Sequence, residues 1–219
     1  MIGGKVARWF VAVLVVAGCD TSALEEAEDL TSYDVAGSVT ALDLIGGSGS
    51  VEITVADGPV RVRERRLYNG VPPLTSHRVE GGTLHLLDQG CGKAAEAEGQ
   101  CETHYQVKVP RGLAVTVTDL AGTLDVTTDV GAIKGSGLTG KTKATTSVGD
   151  VELRYTAAPP AVEVTNEVGA TQVFLPVGGA YRIDAKTAAG PAVNLPSSPD
   201  AKSTVTLHSD TGAITVAPA

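Results

Sequence analysis

The sequence feature that most restricts the fold is a series of glycine corners in the second half of the chain. The series runs through Gly131, Gly149, Gly169, Gly190 and Gly212, in steps of 18, 20, 21 and 22 residues. Further turn residues lie midway between these corners, so each period of about 20 residues contains two short segments. A recurring period of this length is the sequence signature of a repeat architecture.

Apolar and polar residues alternate between the corners. Val151, Leu153 and Tyr155 are separated by Glu152 and Arg154, and later segments repeat this pattern. Alternation with a period of two predicts strands with one buried face. The chain is also rich in Val and Thr, which favour strands. The sequence therefore predicts an all-β fold.

Two all-β arrangements fit the repeat. The preferred one is a flattened β-solenoid, a β-helix-like array with two strands per rung of about 20 residues, because equivalent residues recur at the full period. It would place Leu153, Val173 and Val193 in one inward column. It would also leave the last segment, Ile214–Val216, as an exposed edge. The alternative is an antiparallel meander folded into a β-sandwich.

The N-terminus has the pattern of an export signal. Lys5 and Arg8 precede an apolar stretch from Phe10 to Ala17. The stretch is shorter than the roughly 18 residues of a membrane helix, so residues 1–18 are predicted to be a signal peptide. Its end, Val16-Ala17-Gly18-Cys19, resembles the bacterial lipobox, and this resemblance implies lipidation of Cys19. An ordinary signal peptide with an incidental cysteine is the alternative.

Residues 19–36 are acidic and contain few large apolar side chains, which predicts a lipidated tether. A helical turn over Ala23–Leu30 is compatible with this composition. The whole chain has a net charge of -8, which argues against nucleic acid as a partner. Such a chain would not be held to anionic lipid by charge, so the membrane contact is expected to come from the acyl chains on Cys19.

The other two cysteines, Cys91 and Cys101, enclose a short polar loop. Strand-like segments, Thr83–Leu87 and Tyr105–Val109, lie on either side. This arrangement predicts a structural disulfide that closes a hairpin loop, as expected for an oxidising, extracytoplasmic compartment. The alternative interpretation is that the two thiols form a redox pair or bind a metal.

Residues 37–110 are predicted to form an N-terminal β-cap that is stapled by the disulfide and continuous with the repeat array, residues 111–219. Within the cap, the turn signal Asp57-Gly58 predicts a hairpin. In this hairpin Ile53 would face Val62, and Glu52 would face Arg63.

The candidate binding face is a row of three arginines, Arg61, Arg63 and Arg65, which alternate along one predicted strand. A guanidinium group matches the geometry of carboxylate and phosphate groups, so this face could bind an anionic wall polymer or glycan. The alternative is a soluble face whose charges are paired, with Glu52 as one partner.

No residue set has the spacing of a catalytic or metal site. His85 and His104 could face each other across the disulfide hairpin, where a polar strand face is the preferred interpretation and a metal pair the alternative. Asp129, Glu167 and Asp210 recur two residues before a corner glycine, but they are expected to skip rungs and to be exposed turn acids. The sequence therefore predicts a non-enzymatic protein, with no metal and no cofactor.

Several of these features together resemble a known family. They are the lipobox, the Gly-x-Val strand repeats, the Val79–Leu84 segment, the Cys91/Cys101 pair and the Tyr105–Pro110 segment that leads into the repeats. The combination is similar to actinobacterial lipoproteins with β-strand repeats, a family of unknown function whose members are named as candidate adhesins. The resemblance covers residues 37–219, and it carries over no catalytic residue.

These observations predict an exported, lipid-anchored β-repeat domain of the cell envelope that acts as an adhesin or surface-binding module. Its partner would be a cell-wall polymer, a glycan or an envelope protein. One alternative is a signalling or assembly partner that uses a sheet edge for strand addition. The other is a carbohydrate-active enzyme built on a β-solenoid.

Overall fold

The computed structural model describes residues 26–92 and 100–219, and both ranges contain strands but no helix. No element within these ranges is therefore a helix that could cross a membrane. The predicted signal peptide, residues 1–18, and the lipidation site Cys19 lie outside the described residues. The strands are β1 (Glu26–Asp34), β2 (Ala41–Gly46), β3 (Val51–Val55), β4 (Arg61–Asn69), β5 (Thr75–Glu80), β6 (Thr83–Asp88), β7 (Cys101–Val109), β8 (Ala114–Thr118), β9 (Leu124–Val130), β10 (Ile133–Leu138), β11 (Thr142–Val148), β12 (Val151–Tyr155), β13 (Ala161–Val168), β14 (Thr171–Leu175), β15 (Tyr181–Thr187), β16 (Ala192–Val193), β17 (Ser203–Thr211) and β18 (Ile214–Pro218).

The strands form two nine-stranded sheets around one shared core. Sheet A has the order β1-β4-β7-β3-β9-β11-β13-β17-β15, and sheet B has the order β16-β18-β14-β12-β10-β8-β2-β6-β5. The all-β prediction is confirmed. The two layers match the sandwich alternative more closely than the β-helix that the repeat favoured, since the described strands form two open sheets with edge strands.

The strands of the repeat run parallel within each sheet, whereas the sandwich alternative assumed an antiparallel meander. Consecutive strands of the repeat lie in opposite sheets, so the next strand within a sheet runs in the same direction as the one before it. Val126, Ala144, Val164 and Leu207 are therefore in register on four parallel strands of sheet A. Among the described strands, only the pairs β1–β4, β4–β7 and β5–β6 are antiparallel.

Because apolar and polar residues alternate in the sequence, every second side chain of a strand lies between the two sheets. Val126, Val164, Leu153 and Val173 are all less than 2% exposed. Full burial of an aliphatic side chain contributes about 1.5–3 kcal/mol, so the repeated apolar rows are the main source of stability.

Stacked glycines form one corner between the sheets. A Cβ on Gly149 would meet the carbonyl oxygen of Gly131, and a Cβ on Gly169 would meet that of Gly149. The next member of the stack is Gly212, whose Cβ would meet the carbonyl oxygen of Gly169. Gly190, the fourth corner of the sequence series, lies outside this stack and has open space around it.

The last two periods of the chain are out of sequence order in the sheets. Leu153 pairs with Val173 as predicted, but Val173 pairs next with Val216, and Val193 lies beyond Val216. The predicted column of Leu153, Val173 and Val193 was therefore interrupted, and Ile214–Val216 is not an exposed edge. The strands β17 and β18 are inserted between the preceding period and the outermost strands, β15 and β16.

Residues 192–198 close this end of the molecule, crossing from the edge of sheet B to the edge of sheet A. Ser197 bridges to Tyr181, and the Ser198 amide donates to the Tyr181 carbonyl at 2.8 Å. The Ile183 amide donates to Ser197 Oγ at 3.0 Å. These bonds occupy some of the backbone hydrogen-bonding groups on the outer edge of β15. They therefore reduce the ability of this edge to pair with another chain.

The predicted hairpin at Asp57-Gly58 was wrong, because β7 lies between its two strands. Ile53 pairs with Val107, and Val107 pairs with Val62. Glu52 and Arg63 are likewise separated by Gln106. The residues that were predicted to face each other do lie in one row across the sheet. In each row, however, a residue of β7 lies between them.

The disulfide between Cys91 and Cys101 is formed, as predicted. It does not close a hairpin, however, because β6 belongs to sheet B and β7 to sheet A. The bond therefore joins the two ends of the connection by which the chain passes from sheet B to sheet A.

Candidate functional site

The arginines of β4 are neighbours of an acidic edge strand that the sequence did not predict. Residues 26–34, expected to belong to the tether, form β1 and pair antiparallel with β4. The helical turn over Ala23–Leu30 is replaced by strand in its described part. β1 escaped prediction because it is a polar edge strand and lacks a regular apolar alternation.

Two of the predicted binding residues are held by this strand. Arg61 Nε lies 2.6 Å from Asp34 Oδ1, and Arg65 Nε lies 2.7 Å from Glu28 Oε1. A second contact completes each pair, at 3.0 Å for Asp34 and 3.3 Å for Glu28. The hydrogen bond from Arg61 lowers the pKa of Asp34, and the hydrogen bond and charge of Arg65 lower the pKa of Glu28.

Arg63 is different from its two neighbours. Within residues 26–92 and 100–219, no carboxylate lies within ion-pair distance of its guanidinium group. The expected partner, Glu52, instead accepts a hydrogen bond from Gln106 Nε2 at 3.0 Å. The paired-face alternative therefore describes Arg61 and Arg65, with partners on β1, but it does not describe Arg63.

Arg63 lines a groove of about 280 Å³ on the outer face of sheet A, between β3, β7 and β4. The other lining residues are Ser50, Glu52, Arg65, His104 and Gln106. They lie close together because β7 pairs with β3 on one side and with β4 on the other. The groove offers a guanidinium, an amide and a hydroxyl group to a ligand.

His104 forms a polar chain with residues on both sides of it. The Ser50 amide donates to His104 Nδ1 at 3.1 Å, and Ser50 Oγ lies 2.8 Å from the same nitrogen. His104 Nε2 lies 3.2 Å from Glu102 Oε2. Because Nδ1 accepts the amide hydrogen, it carries no proton here, and Nε2 is left to donate to Glu102.

This arrangement corrects the prediction that His85 and His104 face each other. His85 belongs to sheet B, where its Nδ1 lies 3.0 Å from Asp43 Oδ2. The sequence did not point to Ser50, since no motif marks it, and its proximity to His104 results from the pairing of β3 with β7.

The corner acids are arranged partly as expected. Asp129 and Glu167 are separated by the strand that carries Ser147, and Asp129 forms an ion pair with Arg111 at 3.3 Å. Glu167 and Asp210, however, are on adjacent strands, because β17 pairs directly with β13. Their side chains are exposed, which agrees with surface turn acids.

A buried carboxylate lies between the sheets rather than in the groove. Glu64 is 6% exposed and accepts hydrogen bonds from Tyr33 Oη at 2.7 Å and Thr75 Oγ1 at 3.1 Å. The Tyr33 ring also stacks on His77, with centroids 4.1 Å apart. Burial and the bond to Glu64 raise the pKa of Tyr33. These contacts join the edge strands β1 and β5, so Glu64 has a structural role.

No group of three or more His, Cys, Asp or Glu side chains in the described parts of the chain is arranged to hold a metal ion. In the described residues, the carboxylates nearest to the Arg63 groove already contact Arg61, Arg65, His104 or Gln106.

No protein-family model matches the sequence, and no curated protein matches it significantly. Solved structures to which this chain is similar include a candidate cell adhesion protein from Clostridium sporogenes, with 16% identity, coverage of 89% of this chain and 100% of the other, and a TM-score of 0.35. A candidate adhesin from Bacteroides fragilis has 16% identity, coverage of 90% and 99%, and a TM-score of 0.39. A candidate lipid-binding protein from Parabacteroides distasonis has 7% identity, coverage of 88% and 96%, and a TM-score of 0.29.

Proposed function

We propose that this chain is an exported, lipid-anchored binding module that holds an anionic polymer of the cell envelope in the Arg63 groove. The observation that carries the proposal is the difference between Arg63 and its neighbours Arg61 and Arg65, which are already paired with β1. Gln106 and Ser50 lie in the same groove and add polar contacts. A guanidinium group recognises carboxylate or phosphate with two parallel hydrogen bonds.

The rigid sheet beneath the groove supports this role. Its backbone hydrogen bonds fix β4, β7 and β3 side by side, so a ligand does not have to order them on binding. We expect an extended polymer to lie across the strands, with Arg63 as the main charged contact. Such a contact is screened by salt, so the affinity should fall with rising ionic strength.

The test is binding of detergent-solubilised full-length protein to polygalacturonate, with neutral dextran as a comparison. Arg63→Ala should weaken the binding of polygalacturonate about tenfold or more, since a hydrogen bond to a charged group contributes about 1.5–3 kcal/mol. Arg61→Ala is the matched control, because Arg61 is engaged by Asp34. Equal losses in both variants, or equal binding of dextran, would contradict the proposed groove.

The lipid anchor is a separate part of the proposal and has its own test. Cys19→Ala should move the protein from the membrane fraction to the soluble fraction, because the acyl chains can no longer be attached. Mass spectrometry of the wild-type N-terminal peptide should show a diacylglyceryl group on Cys19. Membrane retention of the variant would contradict the anchor without affecting the groove.

A partner protein that adds a strand is the second candidate. β5 is an edge of sheet B, and its residues from Ser76 to Glu80 are exposed. An edge strand offers backbone groups for strand addition. Arg78 and Glu80, however, place an ion pair of 3.5 Å on this edge, and charged side chains on an edge strand oppose such pairing. The anionic polymer is therefore the preferred partner.

A further inference from the structure

Ser50, His104 and Glu102 have the hydrogen-bond order of a nucleophile, a base and an acid that orients the base. Ser50 Oγ lies 2.8 Å from His104 Nδ1, and His104 Nε2 lies 3.2 Å from Glu102 Oε2. The Ser50 amide also donates to Nδ1 at 3.1 Å. Nδ1 therefore carries no proton in this arrangement, and it loses the bond to the amide when it takes one. An imidazole in this state can take the proton of the Ser50 hydroxyl group, as in the serine–histidine–acid arrangement that recurs on unrelated folds.

The backbone holds these groups in a fixed position. Ser50 immediately precedes β3, where its carbonyl accepts the Tyr105 amide at 2.8 Å, and the next amide, of Val51, donates to Thr123 at 2.8 Å. Ser50 is thus anchored to the strands on both sides of β3. His104 and Glu102 are two residues apart on β7, so both side chains emerge on the same face.

Two grooves meet at Ser50, and each contains a cation. The Arg63 groove lies on the β4 side. On the other side, a shallow groove of about 340 Å³ is lined by Gly49, Gly122 and Gly140 and by Lys141. In the described parts of the chain neither Arg63 nor Lys141 forms an ion pair, so both can interact with a negative group near the hydroxyl.

We propose that Ser50 is a nucleophile that accepts the acyl group of carboxylic esters carried on anionic molecules. His104 is its general base, and Glu102 is a positioning residue that orients the imidazole. This role goes beyond the proposed binding function and does not depend on it, because a small neutral ester can reach Ser50 without engaging Arg63.

The reaction has two steps. Ser50 Oγ attacks the carbonyl carbon of the ester, and its proton passes to His104 Nδ1. The bond between that carbon and the alcohol oxygen then breaks, and the alcohol leaves with the proton from Nδ1. Water attacks the acyl-Ser50 ester while giving a proton to Nδ1. The bond to Ser50 Oγ breaks, Oγ recovers the proton, and the free acid is released.

The test is the reaction of full-length protein with a fluorophosphonate probe, with the modified residue located by peptide mass spectrometry. Ser50 should be labelled, and p-nitrophenyl acetate should be hydrolysed by the same protein. Ser50→Ala should abolish both. His104→Gln should slow labelling about 100-fold or more, the size expected for loss of a general base. Absence of label on Ser50, or an unchanged rate in His104→Gln, would overturn the proposal.

Ser48 provides a matched control two residues away. Its hydroxyl group donates to the Cys101 carbonyl at 2.5 Å rather than to an imidazole, so Ser48→Ala should leave labelling of Ser50 unchanged. The positioning role of Glu102 is tested by two variants with equal melting temperatures. Glu102→Gln should slow labelling, and Glu102→Asp, which keeps the carboxylate, should restore part of the rate. If His104→Gln loses its β-sheet circular dichroism signal, this pair of variants decides, and equal rates in the two would overturn the proposal.

Discussion

Glu28 on β1 and Arg65 on β4 form a two-point ion pair, in which Arg65 Nε lies 2.7 Å and Nη2 3.3 Å from the two carboxylate oxygens. Asp34 and Arg61 repeat this geometry at the other end of β1. The outermost strand of sheet A is therefore fixed to the strand that carries the candidate binding residues. Both pairs are exposed to solvent, so their contribution depends on pH and on salt.

We expect acid to weaken the attachment of β1 to β4, while the centre of sheet A stays paired. The arginines lower the pKa of Glu28 and Asp34. Stabilisation from a lowered pKa is present above the ordinary carboxyl range and is lost as the pH falls through the lowered value. Amide hydrogen-exchange protection of β1 should therefore fall below about pH 4, relative to that of β11.

Glu28→Gln is the control for this prediction. The amide cannot carry the charge, so β1 of the variant should be less protected at neutral pH and should change less on acidification. Parallel loss of protection in β1 and β11 would instead indicate global unfolding, and would contradict a local effect of the two ion pairs.

Reduction of the Cys91–Cys101 bond should lower the melting temperature without removing the β-sheet signal. The two cysteines are 10 residues apart, and closing a loop of this size stabilises by about 3 kcal/mol in the chain-entropy description. This corresponds to a decrease of about 6–12 °C for a domain of this size. The core between the sheets remains, because the bond lies at the crossing from β6 to β7.

Calorimetry with and without a reductant measures this decrease. A Cys91→Ser, Cys101→Ser double variant should melt at the temperature of the reduced wild type and should no longer respond to the reductant. Alkylation of Cys91 or Cys101 before reduction would show that the bond does not form in the native protein.

The strand positions could be predicted from the sequence because alternation is a local property. Val151, Leu153 and Tyr155 form β12 with the predicted inward side, and the Gly131, Gly149 and Gly169 corners stack as a repeat requires. The order of strands depends on contacts between distant segments, and no local pattern encodes it. The insertion of β7 between β3 and β4, and of β17 between β13 and β15, was therefore missed.

The candidate site was predicted in part for the same reason. Arg63 could be selected from its alternation on β4, and its outward direction is confirmed by its exposure. Its contrast with Arg61 and Arg65 could not be predicted, because the deciding strand, β1, has the composition of a linker. Ser50 and His104 are more than fifty residues apart in sequence and lie together only because β3 pairs with β7.

The glycine corners should be intolerant of a side chain for a steric reason that can be separated from backbone conformation. Gly140 is one of the turn residues that lie midway between the corners of the series, and a Cβ on it would meet the carbonyl oxygen of Gly122. Gly190 has a φ of 77° and open space around it. Gly190→Ala should cost about 1 kcal/mol, the usual effect of a left-handed position. Gly140→Ala should lower the free energy of unfolding clearly more, because the backbone segments at Gly122 and Gly140 must move apart.

Urea unfolding of the two variants, at equal slope, gives the comparison. If Gly140→Ala is no less stable than Gly190→Ala, the close approach of the Gly140 and Gly122 backbones does not limit this corner.

The final strand, β18, should be essential for stability although it is the last strand of the chain. It pairs with β14 through five residues and with β16 on its other side, and Ile214 and Val216 are at most 1% exposed. Deleting residues 214–219 removes both side chains from the core, each contributing about 1.5–3 kcal/mol, and leaves β16 without a neighbour. Deleting residues 217–219 alone keeps Ile214 and Val216 and is the matched control. Thermal unfolding should show a large decrease for the longer deletion and a small one for the shorter. Similar melting temperatures for the two truncated chains would mean that β18 behaves as a dispensable edge, the role that its position in the sequence had suggested.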